Sequence, residues 1–226
     1  MTSFETKKSE WHQQALASDD LKAQVGRPFN DEAWQGLVDD IIKKLVLSDN
    51  AKYNLLDIGC GNGLLLSQLA HFAHSIKGID YAYAMISEAK NLLPDGDFAQ
   101  GEAADLPFET GSSERTLCYS IFHYFPEQSY ALSAIEEMIR VTKPGGVILI
   151  GDLLDDQYEQ EIKANSDMAI EANLPLIHRY SQWTFYPLKQ IVEHFSKHEK
   201  VTKVEQLAQP TTFPLSHYRK DIRIWL

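Results

Sequence analysis

Three glycines alternate with other residues directly behind an aspartate, in the run Asp57-Ile58-Gly59-Cys60-Gly61-Asn62-Gly63. Glycine lets the backbone approach a ligand closely and adopt dihedral angles that a Cβ atom would forbid. Enzymes that bind dinucleotides use the pattern G-x-G-x-x-G, in which the third glycine packs the helix over a pyrophosphate. Counted from Gly59, that third position is Leu64, so the dinucleotide pattern is not met. The alternatives at this point are another nucleotide-like ligand and a tight turn that binds nothing.

A second carboxylate, Asp80, lies 23 positions after Asp57. It follows an apolar segment that is predicted to be a strand, so we expect it near the glycine loop at one edge of a sheet. An ionised carboxylate only accepts hydrogen bonds and can therefore bind both hydroxyl groups of a ribose. The alternative is a helix N-cap ahead of residues 81–93. Tyr81 offers its ring to an adenine, with ordinary burial as the alternative.

The segments that must position these residues alternate between apolar runs and amphipathic helical stripes. Five alternations predict an α/β fold with a doubly wound, Rossmann-like and mostly parallel sheet that carries helices on both faces. Two further segments, residues 201–207 and 218–226, predict an antiparallel pair that completes a seven-stranded sheet. The first five strands are predicted at residues 53–58, 75–79, 98–100, 116–120 and 147–150.

The connecting segments also carry local signals. Residues 143–146, Lys-Pro-Gly-Gly, predict a turn before the fifth strand, because proline and glycine suit turn geometry. Spacing of apolar residues predicts helices over residues 34–45, 64–72 and 83–93. Two more helices are predicted around residues 157–172 and over residues 187–195.

Composition limits the partners and the compartment. The formal net charge of −11 argues against nucleic acid and anionic membranes as partners, because attraction to phosphate scales with the density of lysine and arginine. The polar start lacks a signal peptide, and no apolar run is long enough to insert into a membrane, so we expect a cytoplasmic protein. Cys60 and Cys118 are expected to be free thiols. No cluster of cysteine and histidine has the spacing of metal ligands, so no metal is predicted.

A third segment, Gly101-Glu102-Ala103-Ala104-Asp105-Leu106-Pro107-Phe108, combines with the glycine loop and Asp80 into a recognisable set. Together they resemble class I S-adenosylmethionine-dependent methyltransferases, of the type 11-like group that acts on small molecules. The resemblance covers roughly residues 50–152. It implies S-adenosylmethionine as cofactor and S-adenosylhomocysteine as product.

The resemblance also implies roles for individual residues. The glycine loop would cradle the methionine end of the cofactor, and Asp57 would hold its amino group or orient the loop. Glu102 stands where the family usually has aspartate to accept from the adenine amine, so its reach is one methylene longer. The cofactor-binding residues expected on this basis are Asp57, Gly59, Cys60, Gly61, Gly63, Asp80, Tyr81, Glu102, Ala103 and Ser120.

The methyl acceptor is expected beside the segment that follows the fourth strand. His123 is the candidate general base, because imidazole titrates near neutral pH; the alternative is a structural histidine. Methyl transfer from a sulfonium is an in-line displacement, so positioning alone can supply much of the acceleration and a catalytic base is not required. Arg27 is a candidate partner for an acidic acceptor or for the cofactor carboxylate, as is Arg179. Aromatic residues predicted to face the acceptor are Tyr180, Trp183 and Tyr186.

These observations predict a single methyltransferase domain over residues 1–226. Its parts are an N-terminal helical lid or cap (1–48), a cofactor-binding core (49–152), a substrate-side insertion (153–200) and closing strands (201–226). The predicted function is methyl transfer to the O, N or C nucleophile of a small organic molecule. The alternatives are a regulator or partner subunit that binds the cofactor without turnover, and an NAD-type oxidoreductase. The sequence does not specify the oligomeric state.

Overall fold

The computed structural model describes residues 2–27, 29–213 and 216–226 and places a seven-stranded sheet at its centre. The strand order is β3-β2-β1-β4-β5-β7-β6. All pairs from β3 to β5 are parallel, whereas β7 is antiparallel to both of its neighbours. The predicted fold class is therefore confirmed. The strands are β1 (Tyr53–Ile58), β2 (Ala73–Asp80), β3 (Asp97–Gln100), β4 (Ser113–Tyr119), β5 (Thr142–Leu154), β6 (Lys203–Ala208) and β7 (Arg219–Trp225).

Helices cover both faces of this sheet. Their apolar sides form two buried clusters, one against each face. β5 contributes to both clusters, because Ile148 and Ile150 face one and Val147 and Leu149 face the other. The helices are α1 (Ser3–Leu16), α2 (Leu21–Gln24), α3 (Asp31–Lys44), α4 (Leu64–Leu69), α5 (Tyr83–Leu92), α6 (Gln128–Val141), α7 (Glu159–Ala164), α8 (Met168–Glu171) and α9 (Leu188–Phe195).

Helix α3 shows how the local sequence determines an element. The side chain of Asn30 accepts from the backbone N–H of Ala33 at 2.8 Å and so caps the first turn. Acidic residues occupy that turn and lysines the last one, which complements the helix dipole. The apolar stripe from Trp34 to Ile41 is buried against the sheet.

Two expected boundaries differ from the structure. The predicted turn at residues 143–146 lies inside β5, where the pairing with β4 jumps from Thr142–Ser113 to Val147–Arg115. The chain does not reverse there, because the backbone N–H of Gly145 donates to the carbonyl of Leu226 at 2.8 Å. The helix predicted over residues 157–172 is broken into α7 and α8, since the Asp167 side chain caps the start of α8.

The sheet topology determines where a ligand can bind. β1 is flanked by β2 on one side and β4 on the other, so the order of the strands reverses at this point. Such a switch leaves a crevice outside the carboxyl ends of the strands. Within the described parts of the chain, no helix has the length and apolarity needed to cross a membrane.

Candidate functional site

A cavity of about 740 Å³ opens at the carboxyl ends of β1, β2, β4 and β5. Its volume lies in the range of about 300–1,000 Å³ that is typical of small-molecule sites. The glycine loop and the ends of these strands form its floor. Two segments cover it: the N-terminal cap (residues 2–27 and 29–48) and the acceptor-side segment (residues 165–183).

The glycine loop runs from β1 to α4 along one wall of this cavity. Gly59 has a φ of +76°, a conformation that side chains with a Cβ rarely adopt. Its backbone N–H and that of Cys60 both donate to the carbonyl of Ile79, which ties the loop to β2. A Cβ on Gly59 would lie 2.5 Å from Cγ2 of Ile121. Glycine is therefore required here by both the backbone angle and the neighbouring side chain.

Gly59→Ala is expected to lower the free energy of unfolding by about 2–4 kcal/mol, because a strained φ and an overpacked contact add together. Gly145→Ala is the matched control. Gly145 has a φ of +79°, but no atom lies within 4 Å of the added Cβ. This control should cost only about 1–2 kcal/mol, from the backbone alone. Urea unfolding of both variants measures the difference; equal losses would contradict the argued clash with Ile121.

Asp57 and Asp80 are the two carboxylates of the cavity floor. Asp57 is 2% exposed, and its Oδ1 has no hydrogen-bond partner among the described residues. Burial, helped by the nearby charge of Asp80, raises the pKa of Asp57 to about 8. Burial also raises the pKa of Asp80 to about 6, against the lowering effect of hydrogen bonds from the backbone. The raised pKa values show that two negative charges on Asp57 and Asp80 are energetically unfavourable. A cation bound beside the pair would stabilise the doubly ionised form.

Asp80 also organises the loop. Its carboxylate accepts from the N–H of Gly61 at 3.0 Å and from the N–H of Ala82 at 2.8 Å. The alternative role as a helix N-cap is wrong, because α5 begins at Tyr83 with Ala82 as its N-cap and no side-chain cap; Asp80 instead stabilises a turn ahead of the helix. A carboxylate has about four acceptor positions, so two remain for a ligand on the cavity side.

Aromatic rings line the neighbouring end of the cavity. The ring of Phe4 from the N-terminal cap lies 5.6 Å from the ring of Tyr81 and 5.5 Å from the ring of Tyr130. The hydroxyl of Tyr130 contacts Glu102 at 3.4 Å. The hydroxyl of Tyr81 is buried with no hydrogen-bond partner among the residues that the structure describes. A flat base with polar edges matches these rings and the remaining acceptor positions of the Glu102 carboxylate.

These observations test whether S-adenosylmethionine suits the residues present. The orphaned, buried carboxylate oxygen of Asp57 matches a ligand ammonium, and Asp80 retains acceptor positions for ribose hydroxyls. Gly59 and Gly61 line the cavity with backbone alone, which lets a ligand lie close to the loop. The aromatic end beside Glu102 suits adenine. The donor set therefore fits this group.

The N-terminal cap is tied to the cavity floor by several polar contacts. Asn62 of the glycine loop donates to the side chain of Gln24 at 2.8 Å. Arg27 donates to Asp152 at 2.9 Å and to the hydroxyl of Ser120 at 2.6 Å. The buried ammonium of Lys7 donates to the backbone carbonyls of Tyr124 and Gln182. These contacts anchor the N-terminal cap beside the cavity.

Backbone strain is concentrated at the same place. Ser120 and Asp152 both have positive φ, 64° and 65°, although neither is glycine. Ser120 directly follows β4, and Asp152 lies where the pairing of β5 with β7 is interrupted. The hydroxyl of Ser120 donates to the carboxylate of Asp152. Strain of this kind persists where the surroundings enforce it, and it clusters at functional sites. Burial alone would raise the pKa of Asp152, but the guanidiniums of Arg219 and Arg27 hold it well below its usual range.

His123 lies deeper in the same end of the cavity. Its ring is 2% exposed and lies between Tyr124 and Trp183, with centroids at 4.1 Å and 4.8 Å. Burial, followed by the nearby cation Arg219, lowers the pKa of His123 to about 3. Its Nδ1 has no hydrogen-bond partner in the described part of the chain. The imidazole is therefore neutral at physiological pH and free to accept a hydrogen bond.

The structure brings most of the predicted residues to this one cavity. Gly63 is an exception, because it begins α4 and packs against Ala89. Tyr186 is fully buried in the core, where its hydroxyl donates to the carbonyl of Phe122 at 2.6 Å. Arg179 binds backbone carbonyls of its own segment. The predicted residues that line the cavity are Arg27, Asp57, Gly59, Cys60, Gly61, Asp80, Tyr81, Glu102, Ala103, Ser120, His123, Tyr180 and Trp183.

Asp152 and Arg219 line the cavity but were not predicted from the sequence. Asp152 and Arg219 pair with each other across 67 positions of the chain. Neither belongs to a local motif, and Arg219 lies in a strand recognised only by its alternation. The one available signal is that Asp152 stands two positions after the apolar run of residues 147–150, near the predicted end of a strand.

The comparisons with known proteins agree with this geometry. Residues 56–150 match the family model described as a methyltransferase domain. The matched stretch contains the glycine loop, Asp80 and Glu102, so this part of the cavity is similar to a methyltransferase domain.

Particular relatives resemble the same core. The chain is 31% identical over 99 residues to a demethylmenaquinone methyltransferase of Beutenbergia cavernae, with 43% of this chain and 40% of that protein covered. It is 36% identical over 103 residues to phthiotriol/phenolphthiotriol dimycocerosates methyltransferase 1 of Mycobacterium ulcerans, with 44% and 37% covered. The matches thus span less than half the length of these curated relatives.

Solved structures resemble the fold over a longer stretch. Phosphoethanolamine N-methyltransferase 1 of Haemonchus contortus, in complex with phosphoethanolamine and S-adenosylhomocysteine, matches with a TM-score of 0.73 at 12% identity, over 100% of this chain and 50% of that one. The N-methyltransferase NodS of Bradyrhizobium japonicum matches with a TM-score of 0.62 at 13% identity, over 87% and 97%. At these identities the likeness concerns the fold alone.

Proposed function

We propose that this protein transfers a methyl group from S-adenosylmethionine to a small organic acceptor. The observation that carries the proposal is one continuous cavity with two chemically different ends. One end has the glycine loop and two buried carboxylates. The other has aromatic rings, a neutral histidine and a strained pair of polar residues. A cofactor and an acceptor held in such a cavity meet inside the protein.

The residues of the first end would hold the cofactor. We assign the ammonium to Asp57, the ribose hydroxyls to Asp80 and the adenine to the rings around Tyr81 with Glu102. When bound, S-adenosylmethionine supplies an electrophilic methyl group on its sulfonium. The chain itself contributes orientation, which is the main requirement for an in-line displacement.

The residues of the second end would orient the acceptor and exclude water. Trp11 and Trp183 belong to the two covering segments, and both line the cavity. His123 stays the candidate for receiving a proton from the acceptor. Its low pKa favours a hydrogen-bonding role over proton storage, unless a bound anion raises the pKa again.

Calorimetry with S-adenosylhomocysteine tests the first part of the proposal, and absence of binding by the intact protein would refute it. Turnover is then measured as S-adenosylhomocysteine formed from S-adenosylmethionine in the presence of fractionated small molecules. Acceptor-dependent product formation is expected. Saturable binding without product for every fraction would favour the alternative of a non-catalytic, cofactor-binding regulator.

A further inference from the structure

Arg219 occupies a distinctive place at the acceptor end of the cavity. It is the first residue of β7 and pairs with Leu154 of β5, so its side chain reaches over the strand ends. The side chain is only 11% exposed. Its Nη1 donates to Asp152, whereas its Nε has no hydrogen-bond partner among the described residues. A buried guanidinium with an unused donor is costly unless a ligand supplies the acceptor.

Two cations meet one carboxylate at this point, because the guanidiniums of Arg219 and Arg27 both donate to Asp152. The acceptor-side segment adds Asp167 and Glu171 to the lining, but both carboxylates already accept hydrogen bonds from that segment. The two guanidiniums therefore leave a positive charge that favours an anion at this position.

Flat aromatic surfaces surround the same position. The guanidinium carbon of Arg219 lies 5.2 Å from the centre of the Trp183 ring. The other side of this cluster is formed by Tyr180, 4.2 Å from Trp183 between ring centres, and by His123. Rings held in this way favour a flat, conjugated partner that stacks or packs edge to face.

We propose that the methyl acceptor is a conjugated ring that carries an acidic oxygen, and that Arg219 binds this oxygen. The inference rests on the proposed function and deepens it, because it names the acceptor class. A carboxylate and an ionised ring hydroxyl share the required chemistry, since each offers a charged acceptor to the free guanidinium donor. An ammonium-bearing acceptor is disfavoured, because it would meet the guanidiniums of Arg219 and Arg27.

The binding of matched ring compounds to the protein saturated with S-adenosylhomocysteine tests this proposal. We expect 2-naphthoate to bind at least about tenfold more tightly than 2-naphthamide, which has the same ring without the charge. At a pH above the pKa of 4-nitrophenol, we expect its ionised form to bind at least about tenfold more tightly than 4-nitroanisole. A preference confined to one of these two pairs would identify carboxylate or hydroxyl as the acidic oxygen. Equal binding within both pairs, or tighter binding of 2-naphthylmethylammonium, would overturn the proposal.

Substitution of Arg219 tests whether this residue causes the preference for the charged probes. Arg219→Gln should abolish the preference for the charged probes, and Arg219→Lys should retain part of it because the charge remains. Arg223→Gln is the matched control. Arg223 lies on the same strand, pairs with Glu205 and has its guanidinium carbon 5.1 Å from the centre of the Trp225 ring, outside the cavity. An unchanged preference in Arg219→Gln, or an equal loss in the control, would refute the assignment.

Binding of S-adenosylhomocysteine separates the two levels of inference. If the intact protein does not bind it, the proposed function fails. If it binds but does not distinguish the matched probes, only the acceptor class fails. A variant at Arg219 that retains affinity for S-adenosylhomocysteine is folded, so its loss of probe preference is interpretable. If Arg219→Gln does not fold, the proposal is tested by the binding of charged and uncharged probes to the intact protein and to Arg219→Lys.

Discussion

Asp80→Asn is expected to weaken the binding of S-adenosylhomocysteine at least about 100-fold, because two hydrogen bonds from ribose hydroxyls to a charged acceptor are lost or weakened. Asparagine still offers one carbonyl oxygen to the N–H of Ala82, but the hydrogen bond from the N–H of Gly61 to the second oxygen is lost. Because burial raises the pKa of Asp80, removal of its charge offsets this loss, and we expect the stability of the free protein to change by no more than about 1 kcal/mol. The expected result is therefore a protein that folds normally and binds poorly.

Calorimetric titration with S-adenosylhomocysteine and thermal unfolding, measured on the same samples, check this expectation. Asp97→Asn is the matched control, since Asp97 is an exposed aspartate on the neighbouring strand β3. The control should leave both measurements unchanged. Undiminished affinity in Asp80→Asn would refute the ribose assignment. A fall in affinity that is matched by a fall in melting temperature would instead assign Asp80 a structural role at the loop.

Asp57→Asn is expected to stabilise the free protein while it weakens cofactor binding. The folded protein raises the pKa of Asp57 to about 8, well above the value near 3.9 of an unfolded chain. Between these values the folded state holds a proton that the unfolded state has lost, so stability falls as the pH rises from about 4 to about 8. Asparagine carries no charge, so this loss disappears. We expect a gain of about 1–3 kcal/mol at pH 8 and little change below about pH 4.

The same substitution should reduce affinity for S-adenosylhomocysteine by about 10–100-fold, because the charged partner of the ligand ammonium is removed. In the intact protein at neutral pH, Asp57 must release a proton before it can pair with that ammonium. The binding enthalpy should therefore depend on the ionisation enthalpy of the buffer, and this dependence should diminish in Asp57→Asn. Equal proton release in both proteins, or a less stable variant at pH 8, would contradict the role of Asp57.

Local patterns in the sequence were sufficient to predict that the glycine loop and Asp80 lie together at the strand ends. The glycine loop and Asp80 each stand at the end of a strand with an apolar pattern, and the alternation of strands and helices follows from the period of the apolar residues. The sheet order confirmed the fold class on that basis. Errors arose where long-range contacts override local preference. Residues 143–146 were predicted to turn, but the carbonyl of Leu226 binds Gly145 and keeps this stretch within β5.

Only the tertiary structure determined which side chains meet at the other end of the cavity. Asp152 meets Arg219 across 67 positions and Arg27 across 125, so no local spacing announces the cluster. Aromatic residues of the 165–186 region looked equivalent in sequence. The fold nevertheless directs Trp183 to the cavity and Tyr186 into the core, because a carbonyl of the chain segment after β4 satisfies the Tyr186 hydroxyl. The sequence by itself thus determined the class of cofactor site. The charge and shape that select an acceptor depend on which distant side chains the packing of the sheet brings together.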